Sequence, residues 1–162
     1  MGANQVDRYG NQNLSAFGPL QHPTRQMFGG VRGGAPGNTI NHATSYWVGN
    51  HSKRVFGESV DIVSGIGWDK VDPDNPAYRF VNVYRVVTNL GVFDFNGPDH
   101  QMRAVSLHPG VEADQVAENT SFEVHGLDTA ETTRLPSDEE QQLIREVIDP
   151  KGLRDREVRE VK

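Results

Sequence analysis

The stretch that most limits what this chain can become is Gly29-Gly30-Val31-Arg32-Gly33-Gly34-Ala35-Pro36-Gly37, which runs on into Asn38-Thr39-Ile40-Asn41-His42. Five glycines and a proline fall within its first nine residues. Glycine has no Cβ, so such a backbone reaches conformations and close approaches closed to other residues. A loop of this kind can bring backbone N–H groups within about 3 Å of a bound oxygen. A glycine loop that feeds an ordered element is also where α/β proteins often bind anions and carbonyl oxygens. A glycine-rich surface turn is the structural alternative, because a glycine motif alone is weak evidence. Residues Asn41 to Val48 read as a short polar turn running into an ordered element.

The rest of the chain bounds the answer. Its 162 residues suffice for one domain with a real core. No apolar run approaches the roughly 18 residues of a membrane span. Residues 1–7 have neither a basic region nor an apolar one, so they do not read as a secretory signal. With no Cys there is no disulfide framework, thiolate nucleophile or Cys-based zinc site, which suits a reducing cytosol, and a cytoplasmic location is expected. The net charge of −6 is uneven: residues 111–162 hold 14 acids and 7 bases, leaving 8 acids and 9 bases before them. That acidity argues against nucleic acid as a partner. The six histidines show no His-x-x-x-His or His-x-His spacing, so no metal site is expected.

Along the chain, residues 2–7 read as the end of a strand, and Asp7 to Asn11 as a turn. Asn13 to Phe28, with two prolines, reads as irregular. Val60 to Ser64 has apolar residues at alternate positions and is a strand candidate. Phe80 to Val87 is rich in β-branched residues. Gly91 to Leu107 reads as a hairpin about the Asn96-Gly97-Pro98-Asp99 turn. Val111 to Asn119 reads as a short helix. Ser137-Asp138-Glu139-Glu140 is a capping box opening a second helix, whose Leu143, Ile144, Val147 and Ile148 share one stripe, and Asp149-Pro150 stops it. The expected fold is α/β: an open, mostly parallel sheet with a hairpin and flanking helices over residues 1–150, then a charged tail over 151–162.

Several pieces, in this order, resemble the beta-type subunit of the class I CoA-transferase superfamily, a NagB-like fold. They are Gly2-Ala3-Asn4-Gln5-Val6-Asp7-Arg8-Tyr9-Gly10-Asn11, the Gly33-Gly34-Ala35 loop, Arg85 to Phe95, Leu107-His108-Pro109-Gly110-Val111 and Glu118 to Val124. Three further stretches, Asn38 to His51, Ser64 to Pro76 and Leu153 to Glu157, resemble one branch. This branch comprises the beta-type subunits of heteromeric hydrolases that open the ring of a cyclic β-keto acyl-CoA in cholesterol and steroid catabolism. The resemblance covers residue 2 to about residue 155.

What the resemblance implies is specific. Gly33, Gly34 and Ala35 border the thioester and supply backbone donors to a developing oxyanion. Asn4 and Gln5 stand where the family strand meets the cleft, and Asn38, Asn41 and His42 could orient substrate; ordinary strand-end and loop hydrogen bonding is the alternative for each. Family members carry further elements before the strand at residues 2–7, including a Ser-Glu-Asn-Gly-type segment whose glutamate is the acyl acceptor of true transferases. The chain therefore reads as the C-terminal part of a subunit, expected to be insoluble or molten when expressed alone. The closer branch implies a base on an A-type partner subunit, a hetero-oligomer, and no cofactor, since CoA is part of the substrate. A CoA-transferase beta subunit, which moves CoA between carboxylic acids, and an inactive structural piece are the competing readings.

Overall fold

The computed structural model describes residues 1–27 and 34–156. In chain order the elements are β1 (Gln5–Val6), β2 (Gln12–Asn13), β3 (Ala16–Phe17), β4 (Arg25–Gln26), α1 (Gly34–Asn41) and β5 (Ala43–Val48). They continue with β6 (Asn82–Thr88), β7 (Gly91–Asp94), β8 (Arg103–Leu107), α2 (Ala113–Glu118), β9 (Glu131–Thr132) and α3 (Asp138–Gln142). A π-helical turn, Leu143–Ile148, prolongs α3. No helix among the described residues is long and apolar enough to cross a membrane.

The main sheet has the order β5-β6-β7-β8-β9. Its longest ladder, β5 with β6, is parallel; β7 pairs antiparallel with β6 and β8, and β9 is parallel to β8. The open α/β sheet and its hairpin are as expected, with pairing more evenly mixed than the sequence suggested. The carboxyl ends of β5, β6 and β8 lie along one edge of this sheet, and that edge positions the site.

Alternation decides which face is covered. Thr44, Tyr46 and Val48 of β5 are buried while their neighbours Ala43, Ser45 and Trp47 are exposed. On the covered side Tyr46, Val83, Val86 and Phe93 meet Phe56, Met102, Phe122 and Val116 of α2. Fully burying side chains of this size stabilises by about 1.5–3 kcal/mol each.

Two expectations are corrected. Val60 to Ser64 is not a strand. Its alternation loses to a polar clamp: Ser64 N and Gly65 N donate to Gln12 O, Gln12 N donates to Gly65 O at 2.9 Å, and Gly67 N donates to Asn11 Oδ1 at 2.8 Å. These bonds satisfy the backbone without a ladder, leaving Val63 41% exposed. Residues 34–41, expected to be a loop, form helix α1. Asn41 Nδ2 closes on Gly37 O at 2.8 Å and His42 N on Asn38 O at 2.9 Å, while Thr39 is fully buried. The capping box at Ser137 is formed in both directions. The stripe behind it faces outward, with Leu143, Val147 and Ile148 at least half exposed. Residues 153–156 of the expected tail form a 3-10 turn tied to Asp149; residues 157–162 lie outside the described part.

Candidate functional site

The turn at Asp7 to Asn11 is the anchor from which the N-terminal segment reaches the sheet edge. Gly10 sits at φ +84, a left-handed conformation, and a Cβ there would lie 2.8 Å from the Phe95 ring. Asp7 Oδ1 accepts from Tyr9 N and Asn11 N, and Oδ2 from Asn11 Nδ2. Burial raises the Asp7 pKa, with those hydrogen bonds pulling the other way. Asn11 Nδ2 also donates to Asp69 Oδ1, so the turn is locked to the Gly65 to Trp68 stretch. Asn11, Gln12 and Asn13 are all essentially inaccessible. This block carries residues 1–4 past β5: Trp47 N donates to Met1 O at 2.7 Å, and Gly2 bridges Trp47 in parallel.

Beyond the carboxyl end of β5 this arrangement leaves a cavity of about 650 Å³. It is lined by Met1 to Asn4, Phe17, Trp47 to Asn50 and Arg54 among others. Ligands of open α/β sheets bind beyond the carboxyl ends of strands. Among the described residues its lining contains no Asp, Glu or His. A second cavity, about 660 Å³, opens at the other edge beside Asn41, His42, Trp68 and Asn96.

The sequence-predicted residues therefore divide. Asn4 is exposed and lines the first cavity. Gln5 stands beside it, but its Oε1 already accepts from Asn13 Nδ2 at 2.6 Å and from Asp61 N at 3.1 Å. Asn38 Nδ2 points to Met1 Sδ at 3.2 Å, a residue of the first cavity. Asn41 and His42 lie on the second cavity, away from Asn4. Gly34 and Ala35 are the first two residues of α1, and Gly33 lies outside the described residues.

One feature at the same edge, buried His51, escaped the sequence. His51 follows β5 directly, is 4% exposed and stacks on Phe56 at 4.0 Å between centroids. Its Nδ1 and Nε2 lie 3.1 Å from Thr88 Oγ1 and 2.9 Å from Thr120 Oγ1. Burial lowers its pKa to about 4, so the ring is neutral at pH 7, with both nitrogens engaged. His108, at the end of β8, is likewise used: Nε2 lies 2.9 Å from Thr88 O and Nδ1 3.1 Å from Thr133 Oγ1. Both imidazoles thus have both ring nitrogens in hydrogen bonds within the fold. Away from this edge, buried Asp94 joins Arg85 and Arg103 across β6, β7 and β8. Burial would raise the Asp94 pKa, but the Arg103 guanidinium and Asn96 outweigh it and hold it below the usual carboxylate range. Among the described residues no group of three or more metal-binding side chains converges.

No family model matches the chain. The beta-type subunit of glutaconate CoA-transferase from Acidaminococcus fermentans is 31% identical over 157 residues, covering 93% of this chain and 56% of the relative. With this likeness and the sheet just described, the chain belongs to the beta-type subunits of the CoA-transferase superfamily. Within it, the chain is 80% identical over 159 residues to the cholesterol ring-cleaving hydrolase IpdB subunit of Mycobacterium tuberculosis, covering 98% of this chain and 63% of that protein. The crystal structure of Rhodococcus jostii RHA1 IpdAB holds a chain matching at a TM-score of 0.94 and 73% identity, over 98% of this chain and 63% of that one. The chain thus spans somewhat less than two thirds of the length of the relatives it matches.

Proposed function

We propose that this chain is part of the beta-type subunit of a heteromeric hydrolase that opens the ring of a cyclic β-keto acyl-CoA in cholesterol or steroid breakdown. The observation that carries the reading is the 80% identity to an IpdB subunit, against 31% to a transferase subunit. Water adds to the ring ketone, the C–C bond to the α-carbon breaks, and the electron pair leaves as a thioester-stabilised enolate that takes up a proton. The ketone carbon becomes a carboxylate, so water is the sole co-reactant and no cofactor or metal is required. A general base contributes roughly 10²–10⁴-fold to such a step, and each oxyanion donor roughly 10²–10³.

Among its described lining residues the cavity beyond β5 offers polar groups, Asn4 and Asn50 among them, but no Asp, Glu or His. His51 and His108 are both committed to hydrogen bonds. Following what the resemblance to the hydrolase branch implies, we assign the base to an A-type subunit completing the site at this edge. In this reading Gly33, Gly34 and Ala35 supply oxyanion donors, and Asn4 with Asn38 orients the thioester, in a cytoplasmic enzyme. Asn41 and His42, at the far edge, are then peripheral to the chemistry.

The test is turnover of a cyclic β-keto acyl-CoA by the purified chain, by an A-type subunit, and by the two together. Ring opening by the combination alone is expected. Turnover by the chain alone would contradict the shared site. A glutamyl-CoA adduct trapped with borohydride would favour the transferase reading instead.

A further inference from the structure

We propose that the second cavity, beside the amino ends of β5 and β6, binds a small aromatic carboxylate, with Arg79 holding the carboxylate group. The chain carries a net charge of −6, yet among the described residues the lining of this cavity holds no Asp or Glu. It holds the Arg79 guanidinium and the imidazoles of His42 and His100, all of which can donate a hydrogen bond to an anion. The acids nearest in sequence, Asp69 and Asp99, are not on it, and Asp69 is taken up by Lys70 and Asn11. In an otherwise acidic chain such a spot draws anions to itself while the remaining surface repels them.

Arg79 is aligned without being neutralised. Its guanidinium lies over the Phe80 ring, 4.5 Å from the centroid, and Nη1 donates to Pro76 O at 2.8 Å. Among the described residues no Asp or Glu stands at ion-pair distance from it. The aromatic face and the one carbonyl orient the guanidinium plane and leave its charge and its other donors available. Those donors match the two oxygens of a carboxylate.

An independent observation concerns His100. Asp99 and His100 stand at φ +50 and +60, two consecutive left-handed residues without a glycine. Side chains enter that region at a cost, and residues held there gather at ligand clamps. The turn is closed by Gln101 N donating to Pro98 O at 2.9 Å and Gly97 N to Gln101 O at 3.0 Å. It lays the His100 ring on Trp68, with 4.6 Å between centroids and 14° between planes, and Trp68 Nε1 is fixed on Val83 O at 3.3 Å. The stack orients the imidazole without using its nitrogens, which have no hydrogen-bond partner among the described residues. Trp68 and Phe80, the latter 54% exposed, give the cavity its aromatic walls. About 660 Å³ lies within the ordinary range for small-molecule sites and exceeds what an inorganic ion fills. A carboxylate borne on a flat ring uses both the donors and the aromatic walls.

The experiment uses the protein assembled with its A-type subunit. Three probes are titrated calorimetrically: benzoate, its neutral analogue benzamide, and acetate, which lacks the ring. Benzoate is expected to bind more tightly than either of the others. Arg79→Gln is expected to weaken benzoate by about tenfold or more and to leave benzamide unchanged. Phe80→Leu is expected to weaken benzoate and to leave acetate unchanged. Unchanged circular dichroism shows that the variants fold, and His42→Gln, at an exposed side chain, is expected to weaken benzoate as well. Absence of benzoate binding at millimolar concentration, or equal benzoate affinity in wild type and Arg79→Gln, overturns the proposal. Benzamide binding as tightly as benzoate overturns the choice of an anion, and acetate binding as tightly overturns the choice of a ring.

Discussion

His51 shows how one buried side chain ties the site edge together and sets a pH limit on it. A neutral imidazole suits a pocket between two threonine hydroxyls and a phenyl ring; an imidazolium does not. Its pKa of about 4 in the folded protein lies below the ordinary value of 6.5. The unfolded chain therefore binds the proton first as pH falls. The contribution of His51 is complete above about pH 6.5 and is lost as pH drops toward 4. The shift corresponds to about 3 kcal/mol. Asp94 is depressed in the same sense and its contribution is lost at lower pH still. Asp7, whose pKa is raised, works the opposite way. Comparing melting temperatures of wild type and His51→Gln across pH 4 to 7 isolates the imidazole, because both carboxylates are common to the two. Wild type should lose the larger part of its stability over that window. Parallel curves for the two proteins would show that His51 does not resist protonation.

At the scale of elements, the glycines separate into those that hold the fold and those that merely sit in it. A Cβ on Gly67 would stand 2.5 Å from both Asn11 N and Tyr9 O, backbone atoms with nowhere to go. Gly67→Ala should therefore cost about 1–3 kcal/mol, and loosen the Asp7 to Asn11 turn that delivers Asn4. Gly37 lies inside α1 with nothing within 4 Å of its Cβ position, so Gly37→Ala should stabilise by about 0.5–1 kcal/mol. Denaturant melts of the two variants check both, and equal effects would contradict the division. The same elements show what the sequence makes legible. The β7–β8 hairpin and the Ser137 cap are written locally, in a turn tetrapeptide and a four-residue box. Helix α1 is hidden, because a stretch so rich in glycine has poor helix propensity and packing around Thr39 decides the outcome. The Val60 to Ser64 alternation misleads, because its competitor is a set of hydrogen bonds from Asn11 and Gln12, some fifty residues away. His51 is invisible for the same reason: its partners Thr88 and Thr120 are 37 and 69 residues distant. Among the predicted polar residues, chain proximity grouped Asn38, Asn41 and His42. The fold sends the first toward Met1 and the other two to the opposite edge.

At the scale of the whole molecule, the edge beyond β5 carries a partly polar cavity of about 650 Å³, with no Asp, Glu or His among its described lining residues. In the proposed reading this cavity is one half of a catalytic arrangement, and an A-type subunit supplies the base. The most direct measurement of that central claim incubates the assembled subunits with a cyclic β-keto acyl-CoA in isotopically labelled water and follows the products by mass spectrometry. The account predicts a ring-opened acyl-CoA that gains one water, with the label in the newly formed carboxylate and the thioester intact. CoA delivered to an added carboxylic acid, with the ring closed and no label gained, would contradict it.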